Sequence, residues 1–589
     1  MRLNNIFRPH SPGPKPTEYV LPPISPVEPL TIHFVRPEFA ESPLPSPSLT
    51  DHDDAHHHQN DATTAENPPQ WLTDTRLTIV SLLLSTSMFL IMLDSSIIST
   101  AIPRITDTFH SLPDVGWYAS IYQLSSAALQ PLSGRLFHRF RNKPLFLLFL
   151  FLFQLGTLLC AAAASSPMLI AGRAVAGLGS AGLVTGGLTI IAASAPVHRR
   201  AGLVAVVMGF AQLGLALGPL LGGVLTGLVS WRWVFWIQLP VGGLLALGVA
   251  LAEVPEQCAK PEARVVSKKG LVRELDLLGL MLLAPAAVML LLALQFGGGR
   301  YGWGEPTVVG LMVGSVLTGL VWAAWNWWKG DEALMPVSLI KVRAVWTGAV
   351  THLCIMTGVF CASFFLPIYF QAVKGMTPMT SGVSVLASVL SQFVALPVAG
   401  KLVELTGYVV PFALFSAITG AVSNGLYSTL QPATPTARWI GYQILNGFGR
   451  GVGMPMAVLA VQAALPPTDV AMGNSIIMFV QTFGTAITLA ASDAIFEASL
   501  TQELRLKAPG VDAETVIAAG GTHFREIADA SDLVGVVAAY ATSVGRVFYL
   551  AATASAVAAV SCLGLGWVDM RKKDAPREED GVPLGEVEA

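Results

Sequence analysis

The sequence predicts an all-α integral membrane protein of about fourteen transmembrane helices, and three observations carry that prediction. Hydrophobic residues make up 53% of the 589 positions and charged residues only 12%, about half the roughly 25% of a soluble chain. From Leu77 onward the chain breaks into apolar runs of about 20 residues, the length a helix needs to cross about 30 Å of hydrocarbon. Arginine and lysine collect in alternate gaps between those runs, as the positive-inside rule requires of a multi-span protein.

The first segment, Met1 to about Gln70, is rich in Pro, Ser, His and Asp. It has too little apolar surface to offset the entropy of ordering, so residues 1–75 are expected to be a disordered tail. His56, His57 and His58, with Asp51, Asp53 and Asp54 nearby, are a weak metal-binding pattern, and a solvated polar tail is the simpler reading. No apolar signal-peptide core precedes Leu77, so the first span is expected to act as its own signal.

The expected spans are Leu77–Ile102, Trp117–Phe137, Pro144–Ala164, Met168–Ala193, Gly202–Thr226, Trp233–Ala252, Leu277–Leu294, Thr307–Trp325, Trp346–Phe370, Ser381–Val403, Pro411–Leu430, Trp439–Ala464, Gly473–Phe496 and Tyr540–Trp567. An even number places both chain ends on one side. With the tails inside, the inner gaps hold Arg135, Arg139, Arg141 and Lys143, then Arg199 and Arg200, then Lys260 to Arg273, and finally Arg571 to Arg577. The opposite side carries about half as many, so both tails are expected in the cytoplasm. Tryptophans such as Trp71, Trp117, Trp233, Trp328, Trp346 and Trp567 fall near span ends, as aromatic belts do. The longest outer loop, 497–539, mixes Leu504, Val511, Val516, Ile517, Ile527 and Leu533 with charges, which predicts one or two amphipathic helices lying on the membrane.

Ionisable residues inside spans are costly and point to function. Asp94 follows an apolar run in the first span and is the leading proton-coupling candidate, because a carboxylate in a low-dielectric cavity can exchange protons near neutral pH. Asp493 lies near the outer end of the thirteenth span, and His352 in the ninth is a plausible proton carrier, with a hydrogen-bonded interior histidine the blander reading. Arg173 in the fourth span stays charged, so it tunes a neighbour rather than releasing a proton. Arg450 sits among Gly447, Gly449, Gly451 and Gly453, which permit close helix approach or local unwinding. Gly214, Gly218 and Gly222 share one face of the fifth span, beside Pro219 and Gly223. Such a bent, glycine-faced helix suits a sliding contact between two moving halves.

Several chemistries are excluded. Gly177-x-Gly179-x-x-Gly182 matches the dinucleotide fingerprint but lies inside an apolar helix, with no Asp or Glu until Glu253. Cys160, Cys258, Cys354, Cys361 and Cys562 are scattered, with neither a disulfide framework nor a zinc spacing. There is no phosphate loop, no His-Glu-x-x-His and no Gly-x-Ser-x-Gly, so the chain is not expected to be an enzyme. No cofactor, metal or nucleic-acid partner is expected, and an ion gradient is the natural energy source.

These motifs together resemble the fourteen-span drug:proton antiporters of the major facilitator superfamily, especially fungal toxin and multidrug efflux pumps. LDSSIISTAIP (Leu93–Pro103) looks like that family's first-helix motif, RAVAGLGSAG (Arg173–Gly182) its fourth-helix motif, and GLALGPLLGG (Gly214–Gly223) the antiporter motif of its fifth helix. WRWVFWIQLP (Trp231–Pro240), LPIYFQAVKGMTPMTSG (Leu366–Gly382) and YQILNGFGRGVGMP (Tyr442–Pro455) are also similar to family segments. One motif departs: the loop after the second helix keeps Gly134, Arg139 and Lys143 but has His138 for the usual acidic residue and Arg141 for the second glycine.

The resemblance implies a six-helix bundle over 76–252, a cytoplasmic linker with two extra helices over 253–345, a second six-helix bundle over 346–568 and a cytoplasmic tail over 569–589. It implies a cavity between the bundles at mid-membrane, with Gln123, Gln212, Tyr369, Asn446 and Gln481 beside Asp94 to hold amphipathic compounds. The expected activity is proton-coupled efflux of toxins, secondary metabolites or drugs by a monomer in the plasma membrane, with a vacuole or vesicle membrane as the alternative location. Uptake, for example of a siderophore, and a non-transporting membrane sensor are the alternatives.

Overall fold

The computed structural model describes residues 71–110, 114–256, 274–297, 302–513, 515–516, 525 and 530–571. The tail with its His56–His58 cluster, residues 257–273, loop residues Ile517 and Ile527, and residues 572–589 lie outside them. Among the described residues no strand occurs. The helices are α1 (Asp74–Phe109), α2 (Val115–Arg139), α3 (Asn142–Ala161), α4 (Ser166–Ser194), α5 (Val197–Leu228), α6 (Trp233–Trp236), α7 (Gln238–Leu251), α8 (Leu277–Gly297) and α9 (Pro306–Lys329), followed by the short α10 (Val337–Lys341). Then come α11 (Arg343–Ile368), α12 (Pro378–Thr406), α13 (Val410–Tyr427), α14 (Thr436–Gly453), α15 (Met456–Ala464), α16 (Val470–Lys507) and α17 (Ala530–Ser561).

Thirteen segments among the described residues are long and apolar enough to cross a membrane, α6–α7 and α14–α15 each counting as one. The fourteenth expected span is α2, which forms a 25-residue helix but is more polar than the rest. Its polar side chains are absorbed by α4: Ser180 Oγ donates to Ser126 Oγ at 3.1 Å and Ser133 Oγ to Thr185 Oγ1 at 2.8 Å. The lipid side is legible on α12, where Val383, Leu386, Leu390, Val394 and Val398 are exposed at steps of three and four residues. In water that stripe would be a docking patch; in a bilayer it is the surface facing the acyl chains.

Helices α1–α7 pack among themselves, and so do α11–α17. Glycine sets the tightest contacts. A Cβ on Gly156 would lie 2.2 Å from Ala176 N, and one on Gly179 2.4 Å from Phe153 N, so α3 and α4 touch backbone to backbone. The glycine run that mimics a dinucleotide fingerprint is used this way: Gly179 meets the α3 backbone, Gly177 meets Tyr122 O of α2, and Gly182 makes room for the Phe149 ring. The α8–α9 pair stands apart: α8 packs on α2 and α16, and α9 packs chiefly on α8.

Two boundaries differ from the sequence reading. α16 continues unbroken to Lys507, about three turns beyond Phe496. Its last turns are tied to α17 by Glu503, which pairs with Arg546 and, at 2.8 Å, with Lys507. Leu504 and Val516 are completely buried, with Val511 packed against the same cluster, so these apolar side chains serve the protein core rather than a membrane-surface helix. The twelfth span is two helices, because Pro455 interrupts the hydrogen-bond ladder between Gly453 and Met456.

Candidate functional site

Asp94 and Arg173 are brought together. α1 and α4 meet so that Arg173 Nη1 lies 2.5 Å from Asp94 Oδ2, with both side chains 1% exposed. The guanidinium is held from two further directions, and the carboxylate from one. Its Nε donates to Tyr118 O at 3.0 Å, and its Cζ stands 4.4 Å from the centre of the Tyr122 ring. Gln238 Nε2 on α7 donates to Asp94 Oδ1 at 3.3 Å and to its own Val234 O at 2.9 Å. Four helices therefore converge on one neutralised pair. The neighbour of Arg173 is thus Asp94, and each is the other's counter-ion.

The other buried polar residues form a second layer. His352 on α11 donates from Nε2 to Gln481 Oε1 on α16 at 3.0 Å. Gln212 on α5 reaches Met454 Sδ at 3.7 Å across the seam between the two helix groups, and Gln392 on α12 reaches the same sulfur at 3.5 Å from within the second group. Gln392 Oε1 in turn accepts from Arg450 Nη2 at 2.6 Å. Gln123 is exposed, its amide 3.4 Å from Ser95 Oγ. Asp493 is exposed one turn before Glu497 and far along α16 from Gln481.

Two expected binding residues sit elsewhere. Tyr369 is completely buried and donates its hydroxyl to Gln431 O at 2.9 Å, because the π-helical turn at Tyr369–Val373 rotates it into the packing between helices. Asn446 is 1% exposed and donates to Ser423 Oγ at 2.8 Å, inside the α11–α17 group rather than on the seam.

The glycine face of α5 also has a different partner. A Cβ on Gly214 would lie 2.4 Å from Phe89 O, one on Gly218 1.9 Å from Ser96 Oγ, and one on Gly222 2.6 Å from Ile97 O, all on α1. Pro219 is inside α5 but exposed, and Gly223 points to open space. This face locks α5 to α1, so it is not the sliding surface. A contact between halves lies more than three turns before Gly214, where a Cβ on Gly400 of α12 would lie 2.9 Å from Ala201 O and 3.0 Å from Gly202 Cα.

The face of the molecule that carries Asp74 and Arg571 is closed by polar contacts between the halves. Arg200 donates to Gln462 O at 3.4 Å, and Gln462 Nε2 to Leu188 O at 3.4 Å. A Cβ on Gly134 would lie 2.7 Å from Ser475 Cβ, so glycine there lets α2 reach α16. His138 Nδ1 lies 2.8 Å from Thr468 O, an acceptor, so Nδ1 carries the proton, and it lies 3.8 Å from Asp469 Oδ1. Arg139 pairs with Glu274 at 3.0 Å, and Lys143 donates to Ala252 O at 2.8 Å. The departure at His138 thus replaces an acid on α2 with an acid, Asp469, supplied by the opposite half.

Sequence reasoning missed Gln238, Gln392 and Gln462, although each is an amide within an apolar run and that signal was available. It also missed Asp276, which anchors the inserted helix pair. Asp276 accepts from Lys329 Nζ at 2.8 Å, Trp325 Nε1 at 3.0 Å and Leu334 N at 2.7 Å. Burial pushes its carboxyl up, but those donors win and hold it below the ordinary aspartate value. Its one local sign is a bond from Gly279 N at 3.2 Å at the start of α8, while the Trp325, Lys329 and Leu334 donors lie 49, 53 and 58 residues away.

A family model described as Major Facilitator Superfamily matches residues 84–489. The chain belongs to the Major Facilitator Superfamily. It is 46% identical to the MFS-type transporter pigP of Monascus ruber over 86% of this chain and 89% of that one, and 43% identical to the efflux pump mokI of Monascus pilosus over 86% and 94%. In structure it is similar to the proton:xylose symporter XylE, with TM-score 0.55 at 12% identity over 86% of this chain and all of that one. This superfamily member is accordingly a multi-pass membrane transporter of the all-α facilitator fold.

Proposed function

We propose that this transporter exports small amphipathic compounds, such as toxins, drugs or secondary metabolites, in exchange for protons. The observation that carries the coupling is the buried Asp94–Arg173 pair. A proton added to Asp94 discharges the carboxylate and leaves the guanidinium unmatched in a low-dielectric site. The helices that hold it, α1, α2, α4 and α7, must then rearrange. Because α1 is locked to α5 through Gly214, Gly218 and Gly222, and α5 meets α12 at Gly400, the strain passes to the seam between halves. Gln123, Gln212 and Gln481 are the amides proposed to meet the cargo there. Export as the direction is supported by the name of mokI, an efflux pump.

In this reading both chain ends are cytoplasmic, the closed face is the cytoplasmic one, and the protein works as a monomer in the plasma membrane with the proton gradient as its energy source. The test is gradient-driven efflux of a fluorescent amphipathic cation from cells or vesicles, for the wild type and for Asp94→Asn. Export abolished by a protonophore, and lost in Asp94→Asn at normal surface expression, is expected. Gradient-driven export that survives the substitution removes Asp94 from coupling, and uptake of the dye reverses the direction.

A further inference from the structure

The second helix group contains a charge for which the fold supplies no counter-charge. Arg450 lies at the middle of the Thr436–Ala464 span and is 6% exposed. Its Nη2 donates to Gln392 Oε1, a neutral acceptor, and its Nε has no acceptor in the protein. No carboxylate pairs with it among the described residues. Arg173, equally deep in the first group, has Asp94. An arginine cannot escape this cost by losing its proton, and an uncompensated charge in such surroundings is expensive.

Beside Arg450 the helices α11, α13, α14 and α17 enclose a cavity of about 10 Å³, the room that one water-sized occupant needs. Its polar wall is Ser416, Asn424, Asn446 and Ser555, and no Asp or Glu lines it. Asn446 Oδ1 is buried without a donor, while Asn446 Nδ2 faces Ser423 Oγ. Asn446 Nδ2 also lies 3.4 Å from Asn424 Oδ1, an acceptor, so these two bonds fix the orientation of the amide. Two further wall positions, Gly358 and Gly420, are glycine; a Cβ there would lie 3.1 Å from Asn424 Nδ2 and 3.2 Å from Ser555 Oγ. A side chain as small as alanine would narrow the space.

A water molecule would satisfy the Nε–H but leave the positive charge. A carboxylate-sized anion exceeds the volume. We propose that this cavity is a halide site, in which one chloride ion is held by the Arg450 guanidinium together with the Ser416 hydroxyl, and compensates the buried charge. The site belongs to the interior of one helix group, not to the seam where cargo passes, so it stands independently of the export reading.

The experiment is equilibrium binding of radioactive chloride to the purified full-length protein in nanodiscs, with gluconate holding ionic strength constant. Saturable binding of about one ion per chain is expected, with bromide competing and phosphate not. Arg450→Gln and Gly420→Ala, the second keeping the arginine and filling the cavity, should each weaken it more than tenfold. Thermal unfolding gives a second readout: replacing chloride by gluconate should lower the wild-type midpoint and leave that of Arg450→Gln unchanged. No saturable binding to the wild type, or binding that persists in Arg450→Gln, overturns the proposal.

Discussion

Replacing Arg173 by methionine keeps the volume and apolar stem of the side chain but strands Asp94. The two groups are 2.5 Å apart at their nearest atoms and 1% exposed, so water screens neither. At an effective dielectric constant of about 20 and charge centres about 4 Å apart, their attraction is roughly 4 kcal/mol. Gln238 remains as a donor to Oδ1, but a neutral amide recovers only part of this. Removing one partner of such a pair should therefore cost about 3–5 kcal/mol. The first helix group, α1–α7, runs from Asp74 to Leu251, a size at which that loss lowers the unfolding midpoint by on the order of 10 °C. The assay is a double-mutant cycle in detergent or nanodiscs: wild type, Arg173→Met, Asp94→Asn, and the double variant. The double variant should be more stable than Arg173→Met, because removing both charges leaves nothing unmatched. If Arg173→Met melts with the wild type, or the double variant is no better than the single, the pair is not the buried charge balance described above.

The glycine face of α5 gives a graded prediction. Gly214→Ala drives a Cβ to 2.4 Å from a backbone oxygen of α1, which cannot step aside, whereas Gly223→Ala meets nothing within 4 Å. The first should lose about 1–3 kcal/mol and the second almost none, read as folded yield and unfolding midpoint. Gly400→Leu should keep the protein folded but hold the halves apart where α12 meets Ala201 and Gly202, so that a cysteine at Ser475 reacts with an aqueous maleimide faster than in the wild-type background. Asp276 has a native value below its unfolded one, so its contribution is full above the ordinary aspartate value of about 3.9 and is lost as pH falls through the native value. Asp276→Asn should remove that acid-side step from a stability–pH curve followed by tryptophan fluorescence.

The local pattern in the sequence determined the membrane character, the helical class and almost all of the span positions. Each depends on a run of about 20 residues read in order, and lipid leaves the backbone no other solution. Asp94 and Arg173 were legible as costly residues one at a time, as was the small-residue face of α5. What the sequence could not contain is which groups meet. Asp94 and Arg173 are separated by 79 positions, and only the crossing of α1 and α4 turns two improbable charges into one neutral pair. The same holds for Gly214, whose partner proved to be α1 rather than the opposite half, and for His138, whose acid arrives from Asp469. Tyr369 and Asn446 show the limit most clearly: polarity within a span says that a side chain avoids lipid, but a bundle interior and a cargo cavity satisfy that condition equally. The rotation of each helix about its own axis, which chooses between them, is set by packing against several neighbours at once.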